Sequence, residues 1–163
     1  MKKHVLLSVR ILLLVLLAVS ISHAFIQSSL SQKASSAESN KVGEIVGEII
    51  PPETKPGEYI QTNLRKLAHF TEFANIGTFA ALHAVFYLLK RKWAHILIVP
   101  FGVLIALMDE TIQIFSNRGA SVSDIWIDVL GYVTAIAAVY AAYLAVRLVM
   151  FLVLRAKERK ALR

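Results

Sequence analysis

His69, Glu110 and Asp124 are the residues of this chain best suited to proton transfer, and Arg65 and Arg118 those best suited to gripping an anion. Most of them fall in or beside one stretch, DETIQIFSNRGASVSDIWIDVLG from Asp109 to Gly131, which sets four carboxylates and an arginine in otherwise apolar sequence. An ionisable group in a membrane segment costs at least about 2.5 kcal/mol even on the lower scales. Such a group faces a bundle interior or a wet cavity, and it marks a functional site by default. His69 paired with Glu110 or Asp124 would do acid–base work, because carboxylates packed near one another hold protons closer to neutral pH. Arg65 and Arg118 carry the planar fork that matches a phosphate or carboxylate through two hydrogen bonds. Lys66, Glu72, Asp109, Gln113 and Asp128 complete the expected ligand-binding lining. A metal version would use His69, Glu72 and two aspartates as ligands. It ranks below the metal-free version, since no compact motif such as H-E-x-x-H is present. Neither a metal nor a cofactor is specified by any motif.

A purely structural reading pairs Arg65, Lys66 and Arg118 with Glu72, Asp109, Glu110 and Asp124 to hold helices together. Desolvation makes buried ion pairs weak contributors to stability, so a cluster this dense is expected to serve function.

The elements that must position these groups are membrane helices. The chain has 163 residues, 56% of them hydrophobic, and a mean hydropathy of +0.60. Its apolar residues form four blocks, three of them close to the roughly 20 residues that span a bilayer. Blocks such as WAHILIVPFGVLIALM are apolar all round, unlike the amphipathic helices of a soluble domain. The expected fold is therefore all-α and integral to the membrane: a small four-helix transmembrane bundle with both termini cytoplasmic. Residues 1–26 read as an N-terminal anchor. Ser22-His23-Ala24 resembles a leader-peptidase site, but the whole run is of spanning length and favours an uncleaved segment. Residues 27–64, rich in Ser, Lys, Glu and Pro, read as an extracytoplasmic polar loop with at most a short helix near Val42 to Ile50, and are assigned no chemistry. Three further segments occupy residues 65–150: about Leu67 to Leu89, Ala94 to Phe115, and Ser121 onward, where S-x-x-D to Asp124 resembles a capping box. A basic cytoplasmic tail, 151–163, ends the chain. There is no cysteine, which excludes disulfides and thiolate metal sites.

Charge sets the orientation. If the segments alternate, twelve of the eighteen basic residues fall on one side with Glu158 alone, and six basic face ten acidic residues on the other. The basic side is then cytoplasmic, so the net charge of +7 is topology and nucleic acid is not an expected partner. At ~1.5 Å per residue, Glu72, Asp109 and Asp128 all lie within roughly 10 Å of the outer ends of their segments. Arg65, His69 and Glu72 share a helix face, as do Asp109 with Gln113 and Asp124 with Asp128 and Gly131. Gly131 and Ala135 form a small-xxx-small pair that admits a close neighbour. His83, about eleven residues deeper than Glu72, reads as a satisfied interhelical histidine. A transport path would need it, and an outer-face site would not.

RKLAHFTEF at 65–73, DETIQIFSNRGASVSD at 109–124 and the D-x-x-G of Asp128 and Gly131 resemble the VanZ-like membrane family over roughly residues 60 to 140. Asn117 stands where that family usually has glycine, and Asp128 where asparagine is frequent; asparagine tolerates the same turn geometry. The resemblance implies a multi-pass protein of the bacterial cytoplasmic membrane, with 65–150 as the family's three-helix domain. It implies a function of the kind that lowers sensitivity to teicoplanin, a lipid-tailed glycopeptide, and supplies no reaction. Membrane lipids, an envelope lipid or the glycopeptide are the expected partners. A membrane-embedded enzyme acting on an anionic lipid headgroup, or a structural partner of an envelope enzyme, is the alternative.

Overall fold

A computed structural model describes residues 2–88 and 91–161; Leu89, Lys90 and Arg163 of the expected boundaries and basic clusters lie outside them, as do the side chains of Lys2, Lys3 and Lys160. The described residues form five α-helices and no strand: α1 (Lys2–Ser29), α2 (Gln32–Ile49), α3 (Lys55–Tyr87), α4 (Lys92–Phe115) and α5 (Val122–Ala161). Three of them, α1, α4 and α5, are long and apolar enough to cross a membrane. Their outward faces expose Leu12, Leu104, Leu107 and Leu130, a costly surface in water and a natural one in lipid. α3 is the exception in composition, because Arg65, Lys66, His69, Glu72 and Asn75 interrupt its apolar run.

The expected loop over 27–64 needs correction. It contains the 18-residue helix α2 and the first turns of α3. Ser31 caps α2 by accepting a hydrogen bond from the Ala34 N–H, and Val42, Ile45, Val46 and Ile49 repeat at helical spacing along it. Helix formers before them, Gln32, Lys33, Ala34, Ala37, Glu38 and Lys41, carry the helix much further toward the N-terminus than its apolar part alone. It stops where Pro51 forces Ile50 into extended backbone. Thr54 then caps α3 by accepting from the Gly57 N–H at 3.2 Å, with Pro56 in the first turn. Gln61 of α3 donates to the Gly43 carbonyl at 2.7 Å and ties α2 down. The expected basic tail is likewise helical, since Phe151 to Leu154 continue α5 without a break.

α3 is the central helix, packed most extensively against α5 and next against α1. Two glycines make the α3–α5 contact reciprocal. A Cβ on Gly131 would overlap the Phe70 carbonyl of α3, and one on Gly77 would overlap the Tyr132 carbonyl of α5. Backbone meets backbone at both points, as the small-residue spacing predicts for Gly131. Tyr132, fully buried, lays its ring over Gly102 of α4 and donates its hydroxyl to the Ile98 carbonyl at 2.9 Å. Phe73, Ile76, Ala81, Ala106 and Ile136 fill the space around it, and Ala24 brings α1 into the same core. Pro100 sits inside α4, which remains one helix. The turn from α4 to α5 is closed by Asn117 at φ 53°, the left-handed conformation that asparagine tolerates, and by the Arg118 N–H donating to the Gln113 carbonyl at 3.0 Å.

Candidate functional site

Five helices and one turn bring their polar groups to one end of the bundle, in two layers. The inner layer is buried. Asp109, Glu110 and Gln113 lie on one face of α4, and Asp128 comes from α5. Gln113 holds the α4 carboxylates together, its amide donating to Asp109 Oδ2 at 3.1 Å and to Glu110 Oε1 at 3.0 Å. The other Glu110 oxygen accepts the Ser121 N–H at 2.9 Å and so clamps the start of α5. Asp128 accepts from His69 of α3, with Nδ1 to Oδ1 at 3.1 Å. A carboxylate can only accept, so with Asp128 ionised the Nδ1 carries the proton and the lone pair sits on Nε2. No hydrogen bond engages Nε2 among the described residues.

The outer layer borders a cavity of about 340 Å³ between α1, α2, α3 and the α4–α5 turn, lined by Arg65, His69, Glu72 and Arg118 beside the apolar Val42, Leu64 and Leu67. Arg65 donates to Gln113 Oε1 at 2.9 Å and lies 3.8 Å from Asp124. Arg118, buried in the turn, donates through one terminal nitrogen to the Gln27 carbonyl at 2.6 Å, while its Nε is buried without a partner.

The expected pairings are thus partly rearranged. The carboxylate at His69 is Asp128; neither Glu110 nor Asp124 bonds to it. Asp124 turns to Arg65, and the Ser121 side chain accepts from the Ser123 N–H rather than forming the expected box with Asp124. Glu72 faces His23 at 3.6 Å instead of joining a ligand group with His69. Lys66 is exposed and makes no ion pair or hydrogen bond among the described residues. His83, expected to be satisfied, has a buried Nδ1 without a partner, because it borders an apolar crevice of Leu17, Leu97, Ile98 and Phe101.

Sequence reasoning missed the contribution of α1 and α2. Ser28, 3% exposed, donates to Asp109 Oδ2 at 2.7 Å. Gln27 joins Arg118 to Glu38 of α2, which lines the cavity with Ser35. Nothing in the local pattern of QSSLSQ distinguishes Gln27 and Ser28 from loop residues; only the packing of α1 against α3 and α4 brings them in.

An all-helical membrane protein whose helices converge their charges at one end is the class this arrangement defines. The profile of the VanZ/LLP1 family matches residues 9–151, most of the chain, so the chain belongs to the VanZ/LLP1 family. The match extends through α1, beyond the region of the motifs. No curated protein and no solved structure matches the chain.

Proposed function

We propose that this protein crosses the bacterial cytoplasmic membrane four times, with both termini inside, and binds the anionic headgroup of a cell-envelope lipid at its outer face. In this reading α3 is the fourth span, tolerated despite its charges because they face the bundle. The excess of basic residues at the opposite end from the cavity supports the orientation, and Trp93 and Trp126, both exposed near the starts of α4 and α5, suit the two membrane interfaces.

The observation that carries the binding reading is the cavity itself, which sets the guanidinium groups of Arg65 and Arg118 beside an apolar wall. An amphiphile matches both halves of such a surface. Burial, and then the neighbouring charge of Arg65, push the Arg118 pKa below its ordinary value, so the two cations oppose one another. An anion between them relieves that repulsion. A lipid-tailed glycopeptide offers the same combination of anionic group and acyl chain, and lowered sensitivity to such a drug follows from its capture or from a change in the envelope lipid.

A second reading, chemistry on the bound headgroup, is favoured by the His69–Asp128 pair. Asp128 holds the ring while His69 borders the cavity, the arrangement of a general base and its orienting carboxylate.

Native mass spectrometry of the detergent-extracted protein tests the binding reading. An anionic phospholipid should remain bound to the parent and be lost from the Arg65→Ala/Arg118→Ala double variant. Equal retention of zwitterionic and anionic lipid, or retention by the double variant, would remove the proposal.

A further inference from the structure

The inner layer holds an arrangement that a lipid headgroup does not explain. One donor atom from each of His69, Asp109 and Asp128 lies within 4.8 Å of the other two, and all three residues are buried. Asp109 is 1% exposed and Asp128 is fully buried. In each carboxylate one oxygen is held: Asp109 Oδ2 by the Ser28 hydroxyl and the Gln113 amide, Asp128 Oδ1 by His69. The other oxygen of each, Asp109 Oδ1 and Asp128 Oδ2, is buried with no hydrogen-bond partner.

Two carboxylates taken out of water side by side need compensation, because an uncompensated buried charge costs several kcal/mol. No lysine or arginine makes an ion pair with either of them among the described residues. The close ion pairs among the described residues join Arg65 to Asp124, His23 to Glu72 and His69 to Asp128. The guanidinium of Arg118 hydrogen-bonds the Gln27 carbonyl and neither of these carboxylates. A neutral imidazole, two carboxylates with a free oxygen each, and donors fixing the other oxygen of Asp109 suit a divalent cation with mixed nitrogen and oxygen ligands. The 3.1 Å between His69 Nδ1 and Asp128 Oδ1 is also the spacing of two ligands about 2.1 Å from a shared ion, which would take the place of the Nδ1 proton on binding.

We propose that His69, Asp109 and Asp128 form a buried site for one divalent cation of the Mn²⁺ or Zn²⁺ class, with Ser28 and Gln113 orienting Asp109. Each of α3, α4 and α5 supplies one ligand, and α1 supplies a supporting hydroxyl. With three protein ligands, the ion keeps coordination positions open to water or a ligand oxygen.

Mn²⁺ is the probe. Parent protein stripped with chelator in detergent should bind a single Mn²⁺ per chain, with Zn²⁺ competing, and the bound ion should show hyperfine coupling to an imidazole nitrogen. Asp109→Asn and Asp128→Asn should each weaken binding by about tenfold or more, while Glu58→Gln, exposed in the first turn of α3, should retain it. Absence of stoichiometric binding by the parent would overturn the site, as would bound Mn²⁺ without nitrogen coupling. Both are read on the parent, so unfolding of an aspartate variant leaves the test intact. No lipid enters the measurement, so this site and the headgroup reading can fail separately.

Discussion

Arg118 shows how one residue can serve both scaffold and site. Its backbone N–H closes the turn onto Gln113, and its side chain crosses to α1 at Gln27. What remains is a guanidinium edge, with Nε buried and unpartnered, beside the cavity. If Arg118 only offset the charge of Asp109, Glu110 and Asp124, lysine would replace it, since a point charge keeps most of the Coulomb term. A forked grip on phosphate or carboxylate does not survive that change. Losing a hydrogen bond to a charged group removes roughly 1.5–3 kcal/mol of binding, about tenfold to a hundredfold in affinity. Arg118→Lys should therefore bind anionic lipid as weakly as Arg118→Ala, and cells carrying either should be equally sensitive to a lipid-tailed glycopeptide at equal expression. A lysine variant that matches the parent would sink the forked grip. The candidate residues themselves were legible in the sequence, because an ionisable group among apolar neighbours stands out by its cost. Their pairing was not legible. Asp124 and Asp128 share a helix face, and only the depth at which α5 crosses α3 decides that His69 meets Asp128 while Arg65 meets Asp124.

The geometry of the site depends on the α3–α5 contact, where Gly131 and Gly77 bring two backbones together next to Phe70 and Tyr132. His69 adjoins Phe70, and Asp128 lies one turn from Gly131, so the distance between histidine and carboxylate is set by this approach. A methyl group at either glycine meets backbone, which has no rotamer to move into. Gly131→Ala and Gly77→Ala should each cost about 1–3 kcal/mol in stability, read as earlier thermal unfolding in detergent. Gly119→Ala, with nothing near its Cβ, should be neutral. Unfolding of Gly131→Ala at the parent's temperature would show that the helices can separate without penalty. The small-residue pair was readable in the sequence, but its partner helix was not. α2 was missed for another reason: a surface helix rich in Ser, Lys and Glu differs little from a polar loop in composition, and its docking through Gly43 and Gln61 is a tertiary contact.

For the molecule as a whole, the sequence carries a direct test of orientation, since the chain has no cysteine and each introduced thiol is the sole target. Ser36→Cys in α2 and Gly119→Cys in the α4–α5 turn, both exposed, should react with an impermeant thiol reagent on intact cells. Lys157→Cys, near the end of α5, should react only after lysis. Labelling of Lys157→Cys alone would invert the proposed topology. The helical class, the membrane setting, the family and the level at which charges gather follow from the sequence by itself, because hydrophobicity, length and the cost of a buried charge act along the chain and need no partner. The tertiary structure alone decided the rest. It made α3 the hub, drew Ser28 and Gln27 of the first segment into the site, folded α2 against the cavity, and chose Asp128 for His69. It also left one oxygen on each of Asp109 and Asp128 buried without a donor. These are contacts between residues distant in the chain, fixed by how closely helices approach and at what depth they cross, and no spacing within a single helix encodes them.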